Sequence, residues 1–373
     1  MKHQPIEARA GQGNGAPDQG CSPATPIRVM LVDDSMVVRS IVERLVSAHP
    51  QFEVVASLSG AQLALEVLKT QSVDIIILDI EMPCGNGLDA MPEMLALSDA
   101  RILVLSSIAE PGGEAAVRAL GMGACDTLAK PGRSSFAGQF GDILLDKLTA
   151  LGRSHAGEAV LAKPLVTRAH CDGVSSPECI AIGSSTGGIP AMLEFVQALD
   201  DNIRAPIFLT QHLPGAFLPY LVRQLAEKTD RKVQLAETGE RVAPKTIYIA
   251  PGHGHIMLVP AGEGRCIAVD TAGGERYVPA VDPMLDAVAE HYGDRAVAII
   301  LSGMGRDGFL GAKKVADAGG RVYAQDPATS TVWGMPGAVA REGIASAILP
   351  PAQIAADIAR SYRADWPEGA RHD

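Results

Sequence analysis

Short apolar runs alternate with amphipathic stretches through most of this 373-residue chain, and this alternation restricts the fold more than any other feature. In residues 38–46, for example, Val, Ile and Leu recur at the spacing of one buried helix face. Parallel strands need crossover connections and helices on both faces of their sheet. The first series therefore predicts a doubly wound parallel α/β domain with strands at residues 27–32, 52–57, 73–78, 101–105 and 126–128.

A second series of the same kind begins at Cys179 and predicts a second doubly wound parallel sheet. The runs HIMLV (255–259) and RCIAV (265–269) flank residues 260–264 and predict a short polar hairpin that interrupts this series. The length of the chain agrees with two domains, because single cores seldom grow this large. The predicted strands of this second sheet lie at residues 180–183, 207–211, 246–249, 296–301 and 321–324.

Composition predicts where the domains end. The first 26 residues are rich in Gly, Pro, Gln and Ala and have no periodicity, which is typical of a disordered tail. A stretch with several Gly, Ser and Pro separates the two series and reads as a linker. We expect a tail at 1–26, a first domain at 27–150, a linker at 151–177, a second domain at 178–362 and a short tail at 363–373.

The overall charge and composition exclude some functions. The net charge is −11 and only 4% of the residues are aromatic, so the chain lacks the basic clusters and stacking platforms of nucleic-acid binding proteins. No apolar run approaches the length of a membrane span, and the amino terminus has no secretory signal pattern. The cysteines show no metal or disulfide spacing. We expect a cytoplasmic protein without direct membrane insertion.

Polar residues end four strands of the first predicted sheet. Ligands of open parallel sheets bind beyond the carboxyl ends of the strands, where Asp33, Asp34 and Asp79 would meet. Closely spaced carboxylates suit Mg²⁺. Ser106 and Lys130 would add a hydroxyl and a positive charge, which completes a site for phosphoryl transfer to a carboxylate. Taken singly, Asp33 and Asp34 would be helix N-caps and Asp79 would cap the end of a strand.

The motifs LVDDS, IIILDIEMPCGNGLD, ILVLSS and LAKP occur in order at the predicted strand–helix junctions. Residues 27–150 thereby resemble the flavodoxin-like receiver domain of bacterial response regulators. The resemblance implies that Asp79 accepts a phosphoryl group and that Mg²⁺ is held by Asp33, Asp34 and Asp79. A CheA-type histidine kinase would be the phosphodonor.

The same resemblance implies that Ser106 and Lys130 respond to the phosphoryl group and that the Lys130–Pro131 peptide bond is cis. One position departs from the family pattern. Thr127 stands where receivers usually carry a switch aromatic, three residues before the lysine. This departure puts a switch based on an aromatic rotamer in doubt.

The second domain opens with the pattern G-x-S-x-G around Ser185, directly after an apolar run and before a helical pattern. This is the sequence context of a nucleophile elbow, in which the glycines permit a tight turn and helix N–H groups can stabilise an oxyanion. Gly-rich strand-to-helix turns also bind phosphate groups. The turn by itself leaves catalysis and phosphate binding equally open.

Two further strand ends supply partners for a serine nucleophile. His212 follows the strand at 207–211, and Asp307 lies in a Gly-rich turn after the strand at 296–301. Asp307 alone could equally be a helix N-cap. His253 and His255 could form a metal pair, but no carboxylate or cysteine lies nearby, so a loop-to-strand role is favoured. Together Ser185, His212 and Asp307 predict a catalytic triad in a further convergent order.

The segments GSSTGG, TQHLPGAF, APGHGH, LSGMGRDG and VWGMP resemble, in order, the Rossmann-like catalytic domain of CheB-type chemotaxis protein-glutamate methylesterases. The family elbow is commonly GASTGG, so Ser184 here adds a second hydroxyl beside Ser185. The resemblance implies a serine hydrolase that needs no cofactor for hydrolysis. The backbone N–H groups of Thr186 and Met304 are the candidate oxyanion donors.

The two resemblances together imply a phosphorylation-activated enzyme. Its substrates would be methyl-accepting chemotaxis receptors, whose glutamate methyl esters it would hydrolyse to release methanol, and it would also deamidate receptor glutamines. The unphosphorylated receiver would cover the Ser185 cleft. Two alternatives stay open: a receiver-controlled ligand-binding module without catalysis, and a small-ester hydrolase outside chemotaxis.

Overall fold

The computed structural model describes residues 25–82, 86–107, 112–130, 139–153, 176–262, 264–272 and 277–364. Most of the predicted amino-terminal tail, most of the linker and most of the carboxyl-terminal tail lie outside these ranges. The predicted cis bond before Pro131 involves a residue that also lies outside them.

The first sheet contains five parallel strands in the order β2-β1-β3-β4-β5, which confirms the predicted doubly wound arrangement. Its strands are β1 (Ile27–Val32), β2 (Phe52–Leu58), β3 (Ile75–Asp79), β4 (Arg101–Ser106) and β5 (Asp126–Ala129). Its helices are α1 (Met36–Ser47), α2 (Ala61–Leu68), α3 (Gly87–Leu97), α4 (Gly112–Gly121) and α5 (Gln139–Arg153).

Burial explains why these segments form strands and helices. All five residues of β3 are buried, as expected for a central parallel strand covered on both faces. Helix α1 begins after Ser35, whose Oγ accepts a hydrogen bond from the Val38 N–H. Its residues Val42 and Val46 are buried one turn apart, so the apolar face predicted for residues 38–46 does pack on the sheet.

The second sheet contains seven parallel strands in the order β14-β13-β12-β6-β7-β9-β8. Its strands are β6 (Cys179–Ser184), β7 (Ile207–Gln211), β8 (Lys232–Leu235), β9 (Thr246–Ile249), β12 (Ala296–Ile300), β13 (Arg321–Gln325) and β14 (Ala347–Leu349). Its helices are α6 (Gly188–Ala198), α7 (Leu218–Ala226), α8 (Val281–Tyr292), α9 (Phe309–Asp317), α10 (Met335–Arg341) and α11 (Pro351–Ala364).

Strands β10 (His255–Ala261) and β11 (Gly264–Asp270) pair antiparallel, which confirms the predicted hairpin. Strands β8 and β14 were not predicted from the sequence. They occupy the two edges of the sheet, are only four and three residues long, and are mostly half-buried. Such short edge strands lack the continuous apolar run that marks the central strands.

Helices from both sheets contribute to one hydrophobic cluster. Ala116 and Leu120 of α4 belong to the same buried cluster as Leu221 of α7 and Phe217 just before it. Helix α4 therefore packs against the second sheet's helices, at the side where β6 leads into α6. Within the ranges given above, no helix combines the length and the apolar composition that a membrane crossing requires.

Candidate functional site

The carboxyl edge of the first sheet brings three acids together, as the sequence predicts. Asp33 and Asp34 directly follow β1, and Asp79 ends β3. One oxygen of each of the three carboxylates lies within 4.8 Å of the others. Asp33 and Asp79 are fully buried, whereas Asp34 is exposed. Hard oxygen atoms at this spacing suit Mg²⁺, so the donor set fits the predicted cation.

Lys130 joins this acidic cluster from the end of β5. Its Nζ lies 2.6 Å from Asp79 Oδ2 and 3.0 Å from Asp33 Oδ2. Burial raises the pKa of Asp79 above its ordinary value, and the Asp33 carboxylate adds to this effect, although Lys130 opposes it. Burial lowers the pKa of Lys130, but its contacts with both aspartates outweigh burial and leave the pKa raised. The lysine therefore stays cationic beside the acids.

Ser106 ends β4 and is fully buried, and its carbonyl oxygen accepts a hydrogen bond of 2.9 Å from the Lys130 N–H. The two predicted switch residues are thus neighbours on adjacent strand ends. Thr127 is also buried, with 2% exposure. The position that carries the switch aromatic in other receivers is therefore filled by a small side chain inside the domain.

The elbow around Ser185 has the predicted strand–turn–helix form. Strand β6 ends at Ser184, and α6 begins at Gly188 after Gly187, whose φ of 73° favours glycine. Ser185 is half-buried at the turn, and its N–H donates to the Ser302 carbonyl at 3.0 Å. Because Ser302 lies on the loop that also carries Asp307, this bond holds two of the three strand ends together.

Ser184 differs from Ser185 in its surroundings. Its side chain is fully buried, and its Oγ donates a hydrogen bond of 2.6 Å to Gln211 Oε1. The Gln211 amide in turn donates to the Ser185 carbonyl at 3.0 Å. Ser184 therefore stabilises the elbow from the buried side, and Ser185 is the more exposed serine of the turn.

His212 and Asp307 form a hydrogen-bonded pair. His212 Nε2 lies 2.7 Å from Asp307 Oδ2, and both side chains are about nine-tenths buried. With an ionised Asp307, Nε2 is the protonated nitrogen of the neutral ring, which leaves Nδ1 as the proton acceptor. The two ring nitrogens thus exchange the roles they have in the serine protease triad, where Nδ1 bonds to the acid.

Asp307 is held by the start of a helix distant in sequence. Its carboxylate accepts the N–H groups of Val281 at 2.8 Å and Asp282 at 3.0 Å, which begin α8. Burial raises the pKa of Asp307, but the hydrogen bond from His212 and these two N–H groups outweigh burial and leave the pKa lowered. The carboxylate is therefore ionised at neutral pH, as a residue that stabilises an imidazolium must be.

The structure brings Ser185 near this pair without bonding it to the ring. Gly303 lies so close to the elbow that a Cβ atom at this glycine would be 2.9 Å from Ser185 Cβ. The His212 N–H donates to the Ser184 carbonyl at 3.0 Å. Among the described residues, no hydrogen bond joins Ser185 Oγ to His212. In hydrolases without substrate this bond is often long or poorly aligned.

Comparisons with known proteins identify the family of the chain. The family model for the CheB methylesterase matches residues 180–358, and that for the response regulator receiver domain matches residues 29–135. The chain is 37% identical over 379 residues to a protein-glutamate methylesterase/protein-glutamine glutaminase of Azospirillum brasilense, covering 94% of this chain and 95% of the relative. The chain belongs to the family of CheB protein-glutamate methylesterases.

A second relative, protein-glutamate methylesterase/protein-glutamine glutaminase 2 of Caulobacter vibrioides, is 38% identical and covers 90% of this chain and 99% of its own length. Among solved structures, the Thermotoga maritima CheB methylesterase catalytic domain is 39% identical. It covers 50% of this chain and 98% of its own, with a TM-score of 0.48.

Several residues around Ser185, His212 and Asp307 were not predicted from the sequence. Gln211 and Ser302 are buried polar residues at strand ends, and the Ser302 Oγ donates to the Thr186 carbonyl at 2.8 Å. Tyr277 stacks on His212. His255, for which a loop-to-strand role was favoured, begins β10, and its Nδ1 accepts the Ala280 N–H at 2.9 Å. A strand-end position marks Gln211 and Ser302 as candidates, whereas nothing local in the sequence places Tyr277 beside His212.

Proposed function

We propose that the chain hydrolyses the γ-methyl esters of glutamate side chains in chemoreceptors and also deamidates receptor glutamines. The observation that carries this proposal is the hydrogen bond of 2.7 Å between His212 and Asp307, beside the elbow of Ser185. Membership of the methylesterase family supports the substrate class, because the relatives are named for both activities.

In the proposed reaction, Ser185 Oγ attacks the side-chain carbonyl carbon while His212 Nδ1 takes the serine proton. The bond to the methoxy oxygen breaks, and the imidazolium returns the proton, so that methanol leaves. With a glutamine, the C–N bond breaks and ammonia leaves. Water then attacks the glutamyl ester on Ser185 by the same proton exchange, which leaves a glutamate carboxylate and free serine. Asp307 stabilises the imidazolium in both steps.

The negative oxygen of the tetrahedral intermediate needs donors beside Ser185. We assign this role to the backbone N–H groups of Thr186, the next residue in the elbow, and Met304, the residue after Gly303. The His212–Asp307 pair separates this reading from a ligand-binding module, because a phosphate-binding turn needs N–H groups but no base.

Mg²⁺ binding and phosphorylation would take place at the acidic cluster of the first sheet, with Asp79 as the phospho-acceptor. Asp33, Asp34 and Asp79 would hold the cation, which neutralises the phosphoryl oxygens during transfer. A CheA-type histidine kinase is the proposed phosphodonor. Lys130 already contacts Asp79 and would meet the negative charge of the new phosphoryl group.

The receiver contacts the elbow directly. The Thr186 hydroxyl donates a short hydrogen bond to Asp126, which also pairs with Lys147. The Gly187 N–H donates to the Cys125 carbonyl at 2.6 Å. Thr186 and Gly187 are the two residues that follow the nucleophile, so the receiver holds the part of the elbow on which oxyanion stabilisation depends. This contact supports an inhibitory role for the receiver.

Strand β5 connects that contact to the phosphorylation site. Asp126 begins the strand, and Lys130 directly follows it. Met304 of the catalytic loop also packs against the hydrophobic cluster that contains Leu128 of β5. A phosphoryl group that changes the partners of Lys130 would thus act on a four-residue strand whose other end contacts the elbow. Phosphorylation would in this way shift the population toward a form in which the receiver no longer covers Ser185.

Control of the activity by the receiver can be tested with Asp79→Asn. Without the phospho-acceptor, we expect basal methanol release from methylated receptors to persist and activation by acetyl phosphate to disappear, because Asn cannot form the acyl phosphate. Methanol release is measured with and without acetyl phosphate and Mg²⁺. Activation that survives in Asp79→Asn at the wild-type level would contradict receiver control through this residue.

The inhibitory contact can be tested with Gly113→Leu in α4. A Cβ atom at Gly113 would lie 2.6 Å from the Tyr220 ring of α7, so a leucine must displace this buried ring and disturb the contact between the two helices. We expect basal methanol release without phosphodonor to rise several-fold. Gly60→Leu is the matched control, because a Cβ there meets nothing within 4 Å. Basal release in Gly113→Leu equal to that of Gly60→Leu would argue against an inhibitory interface.

A further inference from the structure

The Tyr277 ring lies against the imidazole of His212. The two ring centroids are 4.4 Å apart and the planes differ by 19°, which is a stacked arrangement at the short end of the range for aromatic pairs. Tyr277 itself is half-buried. One face of the proposed base is therefore covered by an aromatic side chain that comes from a different segment.

The segment 277–282 that carries Tyr277 is anchored at several points around the same pair. The Ala280 N–H donates at 2.9 Å to Nδ1 of His255, a histidine on β10 with 2% exposure. The next two N–H groups, of Val281 and Asp282, bind the Asp307 carboxylate. A single stretch of six residues thus contacts both the acid and the base.

The stack supplies a restraint that the hydrogen bond does not. The bond from Nε2 to Asp307 fixes one point of the imidazole, but the χ2 torsion of a histidine is broad and roughly two-fold. Within the tolerance of that hydrogen bond, the ring can still rotate about the Cβ–Cγ bond, and this rotation changes the direction of Nδ1. A flat side chain against the imidazole fixes the plane of the ring and hence the direction of Nδ1.

We propose that Tyr277 is a positioning residue for the base: its ring holds the His212 imidazole so that Nδ1 faces Ser185. The proposal rests on the function proposed above for Ser185, His212 and Asp307. The flat ring is the part of Tyr277 that acts, so phenylalanine should replace tyrosine and an aliphatic side chain of similar bulk should not.

The test compares Tyr277→Leu and Tyr277→Phe in the full chain, with Tyr362→Leu as control. Tyr362 lies on α11, and its hydroxyl accepts the Arg204 N–H at 3.3 Å, so this variant also loses one structural contact. Two rates are measured, both with acetyl phosphate and Mg²⁺ present: labelling of Ser185 by a fluorophosphonate, and methanol release from methylated receptor. The ¹⁵N NMR signals of His212 report the tautomer independently of activity.

In Tyr277→Leu, we expect the labelling rate and kcat to fall about tenfold with KM nearly unchanged. This loss is a part of the roughly 10²- to 10⁴-fold rate increase that a positioned base contributes. The Nε2–H tautomer should lose population in the same variant. Tyr277→Phe and Tyr362→Leu should stay within about twofold of the wild type, since both keep an aromatic ring on His212.

Three results would overturn the proposal. Tyr277→Leu could keep the wild-type rates and tautomer, Tyr277→Leu and Tyr277→Phe could lose the same share of the rates, or Tyr277→Leu could raise KM and leave kcat unchanged. If Tyr277→Leu fails to fold, Tyr277→Met takes its place, because methionine also lacks a flat ring and the same losses are expected of it. If the wild type is labelled but releases no methanol from receptor, the proposed function fails while the labelling comparison still tests Tyr277. A wild type that resists labelling overturns both.

Discussion

Replacing Ser185 by alanine should reduce methanol release from methylated receptor by at least about 10³-fold, because removal of a triad nucleophile leaves only binding and oxyanion stabilisation. Ser185 lies half-buried at the turn of the elbow. The neighbouring Ser184 is fully buried and bonded to Gln211, so Ser185 is the more accessible of the two serines. The rate is measured with acetyl phosphate present, so that receiver inhibition does not limit it.

Ser184→Ala is the matched control for this variant. The Ser184 hydroxyl is buried and donates to Gln211, so its loss should lower stability by about 1 kcal/mol and leave the rate within a few-fold of the wild type. Alanine also stands at this position in the common form of the family elbow. A large loss in Ser184→Ala together with a near-normal Ser185→Ala would mean that the wrong serine has been assigned.

Asp307→Asn should lower kcat by about 10³ to 10⁴, as the corresponding change does in serine proteases. A neutral amide cannot stabilise the imidazolium as a carboxylate does. Its NH₂ group can also donate to Nε2, which favours the tautomer with the proton on Nδ1, and Nδ1 must be free to accept the serine proton. The amide oxygen can still accept one N–H group at the start of α8, so the fold should survive.

The control for Asp307→Asn is Asp317→Asn at the end of α9. This carboxylate forms an exposed ion pair with Lys313, and its loss removes the same charge without touching the site. Activity of Asp317→Asn should equal that of the wild type. A kcat for Asp307→Asn within about tenfold of that control would contradict a triad role for Asp307.

Most of the fold could be predicted from the sequence because its central strands are continuous apolar runs with polar residues at their ends. The runs that became β3 and β7 are buried throughout, so local composition was sufficient to place them. The edge strands β8 and β14 could not be placed this way. They form because the neighbouring strand offers hydrogen-bonding partners, and their own sequences are too short and too mixed to indicate a strand.

The site was predictable only as a set of residues at strand ends. His212 and Asp307 are 95 residues apart in sequence, and their contact follows from the strand order β12-β6-β7. Asp307 shows why the N-cap alternative was hard to exclude. It does bind the first N–H groups of a helix, but the helix is α8, which precedes Asp307 in the chain, and the same carboxylate also holds the histidine.

The contacts that bear on regulation depend on geometry between domains, which no local pattern encodes. Nothing in the sequence around Asp126 marks it as a partner of Thr186, which lies 60 residues away across the linker. The receiver motifs predicted that the two domains communicate. Only the packing of α4 against α6 and α7, and the contacts of Cys125 and Asp126 with the elbow, show which residues meet.

The most direct test of the account is the rate of methanol release from methylated chemoreceptor by the full chain, with and without acetyl phosphate and Mg²⁺. The proposed phosphorylation-activated activity predicts methanol release that rises when the phosphodonor is added and that disappears in Ser185→Ala under both conditions. Release that is unaffected by the phosphodonor, or that continues in Ser185→Ala, would contradict it.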